Sequence, residues 1–158
     1  MKKIITLLVF TISFSVNAQV STYQTTASGL HSTAIGSNTT ASGYWSTAMG
    51  NNTTASGDKS TAMGYRTTAS DFGSLVIGQY NLLGSTVTNS FYVFSTENTA
   101  FVIGNGADTN NRSDALTVLF DGTTNVAGSV TATSFIGDGS QLTNCLLYTS
   151  DAADDSQC

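Results

Sequence analysis

Between residues 25 and 80 apolar and polar positions alternate in short bursts that return at a fixed interval. Ser32-Thr33-Ala34-Ile35-Gly36 is one burst, and Ser46-Thr47-Ala48-Met49-Gly50 and Ser60-Thr61-Ala62-Met63-Gly64 repeat it at a spacing of 14 residues. Each burst has the period of two that belongs to strands, and none is long enough to draw a helical stripe. Alternation puts Thr33 and Ile35 on one face of such a strand and Ala34 on the other.

The bursts sit inside a larger repeat, written four times in register over residues 25–38, 39–52, 53–66 and 67–80. Every copy opens Thr-Thr-Ala-Ser and divides into two similar halves. A fixed short period marks a stacked architecture in which each unit touches only its neighbours. Helical repeats need about 30 residues or more per unit, so a repeat this short predicts an all-β fold. The expected structure is a parallel β-roll, or β-solenoid, of 14-residue coils with two short strands and two corners per coil. Gly29, Gly36, Gly43, Gly50, Gly57, Gly64 and Gly78 close the halves, where glycine permits the positive φ of a tight corner.

Stacking at about 4.8 Å per coil turns shared phase into columns. One column is Ile35, Met49, Met63 and Ile77, expected to be the buried structural ladder. The other is Ala34, Ala48, Ala62 and Val76, whose small side chains let a second roll approach, which makes it the expected face for association with another copy. On this reading Met49→Asp unfolds the roll. The variable corner pairs include Tyr44-Trp45, the largest apolar group outside the expected core and a candidate surface-binding spot.

The segments HSTAIGSN, WSTAMGNN and KSTAMGYR resemble the head repeat of YadA-like trimeric autotransporter adhesins, with its Ser-x-Ala-Ile-Gly pattern at intervals of 14. That resemblance implies a left-handed roll, three chains side by side, and a surface-exposed adhesive role. The last copy departs from the pattern, with Asp71 in a glycine position and Ser74-Leu75-Val76 for Ser-Thr-Ala. End repeats are commonly atypical because they meet something other than another repeat.

Outside the roll the pattern changes. Lys2 and Lys3 precede an apolar run over residues 4–16, and Val16-Asn17-Ala18 offers small residues for cleavage before Gln19. This is the layout of a secretory signal peptide over residues 1–18, shorter than the roughly 20 apolar residues of a membrane span. Residues 19–81 form the head repeats, and residues 82–144 read as a small irregular β-hairpin connector. Its expected strands are residues 91–94, 100–103, 115–120 and 126–135, with Asn105-Gly106 and Asp121-Gly122 as turns. This connector resembles modules of trimeric tail-fibre-like proteins. Residues 145–155, CLLYTSDAADD, resemble the translation of a transposon-end sequencing adapter, so residues 145–158 read as a non-native tail.

Composition narrows the function. Only 9% of the 158 residues are charged and the formal net charge is −5, which disfavours nucleic acid as a partner. Both cysteines, Cys145 and Cys158, fall in the tail, so the rest has no disulfide framework. The single histidine, His31, has no nucleophile and acid beside it to make a catalytic set. No cofactor or metal motif is present, and only the Asp108–Asp114 loop gathers acids closely enough to consider calcium. The expected function is therefore the head and stalk fragment of a secreted, homotrimeric bacterial surface fibre. It is not an enzyme; it adheres to an unknown host or matrix ligand and carries no membrane anchor within this fragment. The alternatives are an ice-binding β-solenoid displaying its Thr columns, and a tail-fibre-like protein without its chaperone domain.

Overall fold

The computed structural model describes residues 22–83, 92–134, 136 and 137. The signal-peptide reading of residues 1–18 and the adapter reading of residues 145–158 lie outside the described residues. The chain divides into a unit of Met1–Gly128 and a unit of Ser129–Cys158, and the described elements all belong to the first.

The roll is all-sheet. Each coil contributes one longer and one short strand: β1 (Thr22–Tyr23), β2 (Thr26–Ala27), β3 (Thr33–Ser37), β4 (Thr40–Ala41), β5 (Thr47–Asn51), β6 (Thr54–Ala55), β7 (Thr61–Tyr65), β8 (Thr68–Ala69) and β9 (Leu75–Gln79). The odd-numbered strands pair in parallel to form one sheet, and the even-numbered strands form a second, four-stranded sheet. Register is the repeat itself: Ala34 lies opposite Ala48, Ile35 opposite Met49, Ala48 opposite Ala62, and Met49 opposite Met63. The 14-residue coil expected from the sequence is the coil observed.

The two columns exchange roles. Ala48 and Ala62 are 0% exposed and Val76 is 2% exposed, so the alanine column lines the interior of a single chain and cannot be a face for another roll. Met49 and Met63 are 37% and 38% exposed, with Ile35 and Ile77 half-buried, so the expected buried ladder is an outer stripe. The reason is the width of the coil. Its interior holds only Thr39, Ala41, Ser46 and Ala48, with their equivalents in the later coils, all fully buried and all small. A methionine pointing inward has no room between two sheets joined by such short corners.

The corners also differ from expectation. Gly36, Gly50, Gly64 and Gly78 do take positive φ, but so do the non-glycine residues Gln24, His31, Asn38, Trp45, Asn52, Lys59, Arg66 and Tyr80, with φ between 43° and 59°, one at the end of nearly every half-copy. A bulky side chain in that region costs about 1–2 kcal/mol. What repays it is a hydrogen bond to the neighbouring coil: the N–H of Trp45 donates to the carbonyl of Leu30, and that of Lys59 to Tyr44. Gly43 and Gly57 have no positive φ. A Cβ at Gly43 would stand 2.1 Å from the carbonyl oxygen of Gly57, so glycine is needed there for close stacking. That column ends at Asp71, where no further coil of the same shape stacks. The Asp71 carboxylate is buried and accepts hydrogen bonds from the Thr99 backbone N–H and hydroxyl, tying the last coil to the strand that begins at Thr99.

The longer-strand sheet continues past the repeats. β10 (Thr99–Asn105) adds in parallel to β9, with Val102 opposite Val76 and Ile103 opposite Ile77. β11 (Asp114–Leu119) and β12 (Thr124–Val126) then add antiparallel, which makes the expected hairpin connector an extension of the roll's own sheet. Two expected strands do not form among the described residues. Residues 92–94 form a bend in which Phe94 packs edge-on against Phe72 and Phe120, and residues 129–134 hold no strand. The polar, Gly128-broken stretch after Val126 is exposed and lacks an apolar face to bury.

The short-strand sheet is stopped by one side chain. Thr26, Thr40 and Thr54 each donate their N–H to the backbone carbonyl of the next coil, at Thr39, Thr53 and Thr67. In the last coil Thr68 donates instead to the side-chain oxygen of Asn81 at 2.8 Å, and the Asn81 amide nitrogen donates back to the Thr68 carbonyl at 3.0 Å. Asn81 thus imitates a fifth strand and covers an edge that would otherwise invite pairing. Asn81→Ala leaves the Thr68 backbone unpaired at a half-buried position and should cost about 1–3 kcal/mol, read as a lower urea midpoint with unchanged slope.

Candidate functional site

Three outer surfaces carry the chemistry of the described residues. The first is the outward face of the longer strands. Its central column is Ile35, Met49, Met63, Ile77 and Ile103, and beside it run Thr33, Thr47, Thr61, Leu75 and Phe101. The face is hydroxylated in the early coils and wholly apolar in the late ones. Leu116 and Val118 of β11 extend it opposite Ile103 and Phe101. A continuous, half-exposed apolar stripe across successive strands has the character of an interface.

The second surface is the corner that ends each first half-copy. Here His31 stacks on Trp45, with ring centres 6.0 Å apart and planes 19° from parallel. Tyr44 meets Trp45 edge-on at 6.0 Å, and the Lys59 ammonium lies over the Trp45 and Phe72 rings at 5.9 and 4.6 Å. Asp58 fixes this corner by accepting the Tyr44 backbone N–H at 2.8 Å. The sequence-predicted binding pair is thus brought together with His31 and Lys59 in one vertical stack. It also faces Tyr92: Ser42, Tyr44, Ser56 and Tyr92 line one open groove. Tyr92 has no repeat phase, so no periodic signal in the sequence places it there.

The third surface is the opposite corner, where Tyr65 and Tyr80 meet edge-on at 5.2 Å and Arg66 lies over both rings. Tyr65 accepts hydrogen bonds from Tyr80 and Arg66, which hold its phenol below the usual tyrosine range, while the same bond raises Tyr80. Arg112 closes the stack from the connector. Its guanidinium donates to the backbone carbonyls of Arg66 and Asn81 at 3.1 and 3.0 Å and lies over Tyr80. These cations are engaged in holding the end of the roll.

The acids are engaged locally as well. Asp108 accepts from the Asn111 side chain and from the backbone N–H groups of Asn110 and Asn111, which lowers its pKa. Asp114 accepts the Leu82 N–H, and burial raises its pKa. No group of three or more metal-ligating side chains occurs among the described residues. No described helix is long and apolar enough to cross a membrane.

Comparison with known proteins bears on the repeats. The family model of the YadA head domain repeat, in its two-copy form, matches residues 27–53, 41–67 and 55–81. No curated protein and no solved structure matches the chain. The three overlapping matches advance by one coil each, in the phase of the observed stack, so residues 27–81 of this chain are similar to YadA head repeats.

Proposed function

We propose that this chain is the head and adjoining connector of a secreted, homotrimeric fibre at a bacterial surface, where it adheres to a host or matrix surface. The observation that supports the reading best is the outer Ile/Met stripe on a run of head repeats. The roll's interior is built of side chains no larger than threonine until Val76, so a single roll buries little apolar area. Thin domains of this kind gain burial by associating. The stripe is where that burial is available, and three rolls meeting along it enclose a common apolar core. Residues 1–18 direct export, and the function is mechanical and adhesive, with no catalytic step.

Sedimentation of the chain from Gln19 across a concentration series tests the assembly. The expected result is a species of three times the chain mass that dissociates on dilution. A folded monomer at every concentration would overturn the trimer. The ice-binding reading has less support, because the Thr33, Thr47, Thr61 column passes into Leu75 and Phe101 after three coils.

A further inference from the structure

We propose that the groove beside the aromatic corner, lined by Ser42, Tyr44, Ser56 and Tyr92 and flanked by Trp45, binds neutral carbohydrate. The inference deepens the adhesive reading by naming a ligand class, and it rests on that reading for its biological setting. The groove itself is built within one chain and needs no partner subunit.

Four observations point to sugar. The first is size: the cavity holds about 560 Å³, within the range of small-ligand sites at roughly 300–1,000 Å³. The second is the aromatic surface. Tyr44 and Tyr92 are 50% and 71% exposed and line the groove, offering apolar ring surface to the C–H face of a pyranose. The third is the hydroxyl pair. Ser42 and Ser56 hold equivalent positions one coil apart, at a spacing of about 4.8 Å, close to the length of one sugar unit. Neither hydroxyl has a hydrogen-bond partner among the described residues, so both are available to ligand hydroxyls. The fourth is the charge. No charged side chain is among the described lining residues, which favours a neutral ligand over an anionic glycan or a charged peptide.

The corner is also held ready. Asp58 fixes the Tyr44 backbone, and Trp45 is clamped between His31 and Lys59. A site whose rings are already ordered loses little freedom on binding.

Trp45 is the only tryptophan in the chain and therefore reports on its own corner. Its fluorescence should be followed as a soluble β-glucan, an α-mannan and a galactan are added to the chain from Gln19, with heparin as the charged control. The expected result is a saturable change with at least one neutral polysaccharide and none with heparin. Tyr44→Ala should weaken that binding tenfold or more, and Ser56→Ala by a smaller factor, while Tyr65→Ala on the opposite corner leaves it unchanged. No response to any of the three neutral polysaccharides overturns the proposal, as does an undiminished response in Tyr44→Ala. Should Tyr44→Ala lower the melting temperature, the wild-type titration still decides, because it requires no variant. Sedimentation separates the two readings: saturable binding by a monomer keeps the groove and rejects the trimer, and a trimer without binding does the reverse.

Discussion

Ala48→Asp should leave no folded roll, while Met49→Asp, one residue later, should fold and melt close to the parent monomer. Ala48 is fully buried in a coil whose other interior side chains are Thr39, Ala41 and Ser46. An aspartate there has neither space nor a partner. Overpacking alone costs about 1–3 kcal/mol, and an unpaired buried carboxylate adds several more. Together they match the roughly 5–15 kcal/mol that holds a whole domain. Met49 stands on the outer stripe, where a carboxylate reaches water without moving the backbone. Its effect should appear in assembly: if the proposed trimer meets along this stripe, a charge at its centre leaves Met49→Asp monomeric in sedimentation at concentrations where the parent associates. Circular dichroism melts of the two variants side by side make the comparison direct. A cooperative melt for Ala48→Asp, or the loss of one in Met49→Asp, would reverse the assignment of inside and outside.

Alternation alone does not decide that assignment. It states which residues share a face, and Thr33, Ile35 and their equivalents do share one; it does not state which face is inside. Choosing the larger residues for the interior reflects the general preference for burying methionine and isoleucine. It fails here because the coil is too narrow for them. The clue lies in the alanine position, small and unchanged through Ala34, Ala48 and Ala62 while the residue after it changes from Ile35 to Met49 and Met63. Phase carries other features correctly. The stack, its register and the departure at Asp71 are all legible in the sequence. Asn81 is legible in principle too, since it stands one full period after Thr67 in the column Thr39, Thr53, Thr67. What makes Asn81 a cap, the imitation of a peptide by its amide, depends on geometry that spacing alone does not reveal. Of the candidate groove, Tyr44 and Trp45 stand out in the sequence as aromatics at a variable corner. Tyr92 does not, because it approaches from outside the repeat, and the serines are hidden by their abundance.

Gly50→Ala should cost about 3 kcal/mol or more, the most of four glycines that separate the possible causes. Two penalties coincide there. The φ of 128° is one that an L side chain rarely adopts, and the new Cβ would stand 2.1 Å from the carbonyl oxygen of Gly64 in the next coil. The obstructing atom is backbone held in a parallel ladder, so it cannot swing aside. Relief requires separating two coils, which breaks the hydrogen bonds that define the stack. The other three glycines isolate the contributions. Gly43 has the close contact, at 2.1 Å from the Gly57 oxygen, without the positive φ. Gly122 has a φ of 92° and nothing within 4 Å of the added Cβ, and Gly128 has neither constraint. Urea unfolding should therefore rank the alanine variants with Gly50 worst and Gly43 next. Gly122 comes third at about 1–2 kcal/mol for the backbone conformation alone, and Gly128 stays near zero. If Gly122→Ala proved as costly as Gly43→Ala, backbone conformation would be the reason for glycine throughout, and close contact between coils would not be what the repeat selects.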